Sequence, residues 1–148
     1  MSTTYSSPNQ RLAALAMPVF GSRVVRWLAY LALCAAYLQG GLVKLSDFPG
    51  AVAEMAHFGL SPAALFAAGV IVLELGASAL ILTGFLRWLG ALALAGFTLL
   101  ATGMALRFWE LPAGMERFAA ANSFFEHIGL IGGFLLVAWF YLNERNAA

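Results

Sequence analysis

The sequence predicts an all-α integral membrane protein. Its form is a four-helix bundle with a short amphipathic interfacial helix between the first and second spans. Three observations lead there. Of 148 residues, 62% are hydrophobic and only 10% are charged. A soluble domain carries about a quarter charged residues, so the charges here are too few to coat a water-facing surface. The apolar residues gather in four runs, each near the roughly 20 residues that a helical span requires. These runs are rich in Leu and Ala and lack period-two alternation, which argues against strands. An open sheet would also leave its edges unsatisfied in lipid.

Residues 1–22 are polar, then mildly apolar, with Pro8 and Pro18. A secretory signal starts its apolar core sooner and ends at a small-residue cleavage site. The stretch therefore reads as a cytoplasmic N-terminal tail, with a short interfacial segment from Leu12 to Phe20. Residues 23–143 read as a single four-span membrane domain, and 144–148 as a short C-terminal tail.

The first span is expected at about 24–45 and the second at 62–85. Ser61 can accept a bond from an orphan amide of the second helix, and Pro62 suits the first helical position. Gly84 suits its end. The turn into Arg87 is tight, so the second span and the third, at 87–108, should pack as an antiparallel hairpin. The fourth span is expected at about 124–142.

Between the first two spans lies SDFPGAVAEMAHFGL. On a helix, Asp47, Gly50, Glu54 and His57 share one stripe, and Phe48, Val52, Met55 and Gly59 share another. Such a segment is too short to span and lies in the interface, with Ser46 or Asp47 as its cap. Small-residue steps suggest where helices approach: Gly129 and Gly133 on the fourth, Ala36 and Gly40 on the first, Ala91 and Ala95 on the third. A Gly- and Ala-rich chain also contains such spacings by chance.

Positive charge sets the orientation. With the N-terminus inside, Arg11, Arg23, Arg26, Arg87 and Arg145 are cytoplasmic, and Lys44, Arg107 and Arg117 are outside. Basic residues favour the cytoplasmic side, so both termini are expected there. The expected location is a bacterial inner membrane. Trp27, Trp88, Trp109 and Trp139 fall near span ends, as an aromatic belt does.

Several function classes have no support. The net charge of +1 gives no reason to expect a nucleic-acid partner. Cys34 is the single cysteine, which excludes an intrachain disulfide and a CxxC shuttle; it reads as a small buried apolar side chain. His57 and His127 have no metal-ligand spacing between them, so no metal is expected. No Gly-rich nucleotide loop follows a strand.

The chemistry-bearing candidate is the acid in GVIVLELGASALILTG. Glu74 lies about 18 Å below the start of its helix, from a rise of about 1.5 Å per residue. A bare charge at that depth costs about 2.5–3.5 kcal/mol on insertion scales. It must be protonated, paired or set in a hydrated cavity. Thr98 sits at similar depth on the third helix, Gln39 nearer the outer face of the first, and Lys44 higher still. Arg107, His127 and His57 gather on the outer side. The pattern suggests a polar pocket under the outer leaflet, roofed by the interfacial helix, with Glu74 at its floor. The plainer alternatives stand beside it. Glu74 is hydrogen-bonded glue between helices, Lys44 snorkels to headgroups, and Arg87 and Arg107 anchor helix ends.

Four strings complete the picture. GGLVKLSDFPGAVAEMAHFGL, VLELGASALILTGFLRWLGALAL, and LRFWE followed by IGLIGGFLL together resemble the DoxX family of small bacterial membrane proteins. The resemblance runs from about Val24 to Trp139 and rests most on the segments around Lys44 and Asp47, Glu74 and Arg87. It implies a four-helix membrane protein. Its founding members are described as small subunits of a terminal quinol oxidase and of a thiosulfate:quinone oxidoreductase. Lys44, Asp47, Glu74 and Arg87 match the family pattern. Many relatives have a histidine before the RFW piece, where this chain has Leu106. Many also have a Lys-Asn pair where Glu126 and His127 stand.

The leading expectation is an accessory subunit of a membrane redox system that binds a quinone or similar small apolar ligand. Its ligand or proton-handling candidates are Glu74, Lys44, His127, Gln39, Arg107, His57 and Thr98. Asp47, Arg87, Gly129 and Gly133 are structural candidates. Partners are the lipid bilayer, membrane oxidoreductase subunits and further copies of the chain. The competing expectation is a non-catalytic scaffold that recruits a partner through small-residue helix faces. A third is a path for protons or a small solute.

Overall fold

The computed structural model describes residues 7–146, without the side chains of residues 11, 145 and 146. The first six residues of the expected N-terminal tail and the last two of the C-terminal one lie outside the described residues, as do the Arg11 and Arg145 side chains used for orientation. Every regular element among the described residues is helical. In order they are α1 (Pro8–Phe20), α2 (Arg23–Ser46), α3 (Phe48–His57), α4 (Ala63–Thr83), α5 (Arg87–Ala105), a 3₁₀ turn (Phe108–Glu110) and α6 (Met115–Asn146). Four helical segments, Arg23–Ser46, Ala63–Thr83, Arg87–Glu110 and Met115–Glu144, are long and apolar enough to cross a membrane. The chain divides into two compact units, with the boundary between Ala32 and Leu33, inside α2.

In the first unit, α1 starts on a reciprocal cap. The Ser7 hydroxyl accepts from the Gln10 amide, and the Gln10 side chain accepts from the Ser7 amide. Helical order thus begins at Pro8, ahead of the interfacial segment expected from Leu12. The Ser22 hydroxyl accepts from the Val25 amide at 3.2 Å and so caps the start of α2.

In the second unit, Asp47 caps α3 by accepting from the Gly50 amide at 3.1 Å. The short helix buries Ala51 and Met55 against Ala67 of α4. Of the expected apolar stripe, Met55 is in this cluster and Val52 packs against it, while the other two members do not take part. Phe48 is exposed, Val52 only partly buried, and Gly59 lies past the helix end with φ 73°. The docked face takes in Ala51, which the expected stripe did not include.

The start of α4 also differs in detail. Pro62 is the residue before the first helical one, its carbonyl accepts from the Leu65 and Phe66 amides, and no side chain caps the helix. Ser61 therefore does not act as the cap expected of it. The helix ends as its sequence suggests, at Gly84 with φ 84°, a left-handed conformation in which glycine carries no Cβ penalty. Arg87 closes the turn by donating from Nε to the Ile81 carbonyl at 2.8 Å. Its guanidinium stands 5.9 Å from the centre of the Tyr141 ring. The fourth long helix begins at Met115, well ahead of the expected residue 124.

The close approaches between helices fall at glycines other than the expected ones. A Cβ on Gly90 would lie 2.6 Å from the Ala77 carbonyl oxygen, and one on Gly41 would lie 2.8 Å from Leu75. Gly129 has open space around it, while a Cβ on Gly133 would meet only the flexible Leu33 side chain, at 3.1 Å. Ala36 is exposed, whereas Ala91 and Ala95 are buried. Interior positions along the second unit are filled by Cys34, Ile71, Ile81, Leu94 and Phe134, while Leu65, Val72, Leu100 and Leu136 stay exposed. Apolar side chains on the outside suit hydrocarbon as solvent.

Candidate functional site

Glu74 is 5% exposed, the most buried acid among the described residues. It is placed by α4, whose apolar sequence continues on either side of it. Lys44, in the last turn of α2, reaches down to it. Its Nζ lies 3.4 Å from Oε1 and 3.4 Å from Oε2. The ammonium thus bridges the carboxylate instead of choosing one oxygen. Gly40 makes room for the pair: a Cβ there would stand 3.5 Å from both Glu74 Oε1 and Lys44 Nζ. Of the three outcomes open to an acid at that depth, pairing is the one observed.

A second polar group stands beside the first. Tyr37, two turns before Lys44 on α2, is buried and hydrogen-bonds Thr98 of α5. Its phenol lies within electrostatic reach of Glu74. Thr98 donates to the Leu94 carbonyl at 2.6 Å, so its single hydroxyl hydrogen is committed and Tyr37 must be the donor between them. The Tyr37 ring is held edge-on by Phe97 and by Phe134, with centroids 6.5 and 5.4 Å away. One turn along α5, Thr102 donates to the Thr98 carbonyl at 2.6 Å and meets His127 Nδ1 of α6 at 2.8 Å. These side chains tie α2, α4, α5 and α6 together through polar contacts.

The remaining candidates lie elsewhere. His57 and Arg107 line a cleft of about 540 Å³ with Phe58, Met104, Glu110 and Leu111. Arg107 pairs with Glu110 at 3.1 Å, both well exposed. Neither Glu74, Lys44 nor His127 lines this cleft. This cleft thus takes in His57 and Arg107 but neither the Lys44–Glu74 pair nor the Thr102–His127 contact. Gln39 is exposed. Asp47 is a helix cap and Arg87 a turn clamp.

Two participants were missed in the sequence, Tyr37 and Thr102. Their signal was present: Tyr37 and Lys44 share a face seven residues apart, and Thr98 and Thr102 share one four apart. Another polar contact is the Ser78 hydroxyl, wholly buried beside the Cys34 thiol and without a conventional hydrogen-bond partner among the described residues.

Long apolar helices around an internal ion pair define a multi-pass α-helical membrane protein. The DoxX family model matches residues 26–109, and the chain belongs to that family. The matched region carries Tyr37, Lys44, Glu74, Thr98 and Thr102 and stops before His127. No curated protein and no solved structure matches the chain.

Proposed function

We propose that this protein is an accessory subunit of an inner-membrane redox system, with both termini in the cytoplasm, and that it binds a quinone or similar small apolar ligand among its spans. The single observation behind this reading is the Lys44–Glu74 pair. Two charges in an apolar interior cost several kcal/mol each to desolvate, and well-packed apolar side chains often stabilise as well or better. Intramembrane ionisable residues therefore mark function by default. A quinone carries carbonyl oxygens that an ammonium can bond and an apolar body suited to Phe and Leu walls. Binding would divert Lys44 from Glu74 to the ligand, leaving the acid to hydrogen-bond or exchange a proton.

The test is titration of purified protein with a short-chain quinone, wild type against Lys44→Met/Glu74→Leu. That double variant removes both charges and leaves neither stranded. Loss of binding with an intact helical spectrum supports the reading; unchanged affinity removes the pair from the site.

The scaffold reading is favoured by a different observation. Tyr37, Thr98, Thr102, Lys44 and Glu74 all bond one another or nearby carbonyls, which is what locking a bundle requires. Under it, the double variant folds and recruits its membrane partner normally, and no quinone binds the wild type.

A further inference from the structure

The hydrogen bonds around Thr102 fix the protons of His127. The Thr102 hydroxyl oxygen lies 2.6 Å from the Thr98 carbonyl oxygen. Two oxygens at that distance repel unless a proton sits between them. A carbonyl has none to give, so the proton is that of Thr102. A hydroxyl has one hydrogen, and Thr102 then has only lone pairs to offer His127 Nδ1 at 2.8 Å. Nδ1 must therefore carry hydrogen. In a neutral imidazole that makes Nε2 a bare acceptor. No group among the described residues bonds Nε2.

The surroundings suggest what Nε2 accepts from. Phe124 sits one turn before His127 on α6, on the same side of the helix. It is packed edge-on against Phe108 and Trp109, with centroids 5.4 and 5.9 Å apart. A ring hydroxyl that donates to Nε2 would bring its ring beside this aromatic cluster, whose faces and edges suit a planar partner.

We propose that Thr102 holds His127 in the Nδ1–H tautomer, so that Nε2 accepts a hydrogen bond from a ring hydroxyl and the site prefers the reduced, quinol form of its ligand over the quinone. This rests on the quinone-binding reading above and sharpens it. A quinone offers only acceptors, and a neutral imidazole with Nδ1 already engaged has no donor for it. His127 is the ligand contact; Thr102 is a positioning residue that acts through it.

The first measurement needs no ligand. The chain has two histidines, so ¹⁵N-histidine labelling of the full-length His57→Gln variant reports His127 alone. Above the titration range of imidazole, a pyrrole-type Nδ1 and a pyridine-type Nε2 are expected, the opposite of the tautomer that prevails in free histidine. Thr102→Val should shift the ring toward Nε2–H, and Thr102→Ser should restore Nδ1–H. A pyrrole-type Nε2 in the otherwise wild-type site overturns the proposal, as does a tautomer insensitive to Thr102→Val.

The second measurement compares a quinol and a quinone of the same tail by anaerobic titration calorimetry. One added hydrogen bond predicts a quinol preference of about two- to tenfold in the wild type, lost in Thr102→Val. Equal affinities with Nδ1 protonated overturn this inference and leave quinone binding standing. Failure of both forms to bind overturns both.

Discussion

Replacing Lys44 by Met should destabilise the protein more than replacing Glu74 by Gln, though each removes one charge from the same pair. At 3.4 Å and an effective dielectric of about 20, two unit charges attract by about 5 kcal/mol. Much of that is offset by the desolvation of both groups. What remains after a single change depends on where the stranded partner can go. The Glu74 side chain is 6% exposed and sits on a short stem in the middle of α4, whereas Lys44 is 17% exposed near the end of α2. Without Lys44 the acid stays in place and escapes only by taking up a proton, at a cost near the ~3 kcal/mol of an intramembrane acid. Without a charged Glu74 the lysine stem can swing its ammonium outward, so about 1–2 kcal/mol is expected. The double variant Lys44→Met/Glu74→Gln should cost less than the two singles together by about 2 kcal/mol. The assay is reversible unfolding in mixed micelles as the denaturing detergent fraction rises, followed by far-UV circular dichroism. Additivity within about 0.5 kcal/mol would show the two side chains uncoupled and refute the reasoning.

The same assay separates the glycines. Gly90→Ala drives a Cβ to 2.6 Å from the Ala77 carbonyl oxygen, and rigid backbone makes about 1–3 kcal/mol of destabilisation the expected result. Gly129→Ala meets open space and should be neutral or gain up to ~1 kcal/mol from helix propensity. Tyr37→Phe loses the bond to Thr98 but leaves Thr98 satisfied by Leu94, so about 1 kcal/mol is expected. Cys34 is wholly buried and should resist a membrane-permeant maleimide in native membranes, then react on unfolding; prompt native labelling would contradict its burial.

Much of this was legible from one dimension. Glu74 announced itself because nothing else in its run is charged, and an acid at that depth has few permitted states. Gly84 announced the turn before Arg87 because a helix ending in a left-handed residue favours glycine. The small-residue steps were less informative. Gly129 and Gly133 have the right spacing but Gly129 faces open space, while Gly41 and Gly90, which sit in no predicted step, are the ones pressed against neighbours. Spacing says that two small residues share a face; it does not say which face meets a helix. The docking face of α3 was legible in part: Met55 and Val52 pack as their stripe suggests, but Ala51 buries itself against Ala67 while the bulkier Phe48 stays exposed.

The sequence by itself determined the solvent. Too few charges and four long apolar runs leave hydrocarbon as the medium these helices suit, and family membership follows from local strings that need no fold to read. Tertiary structure alone decided the partners. Lys44 and Glu74 are thirty residues apart, and Tyr37 and Thr98 are sixty-one apart. Whether such groups meet depends on the rotation and offset of whole helices, set by where Gly41 and Gly90 let the backbones close in. Those quantities are collective, and no single stretch of chain contains them.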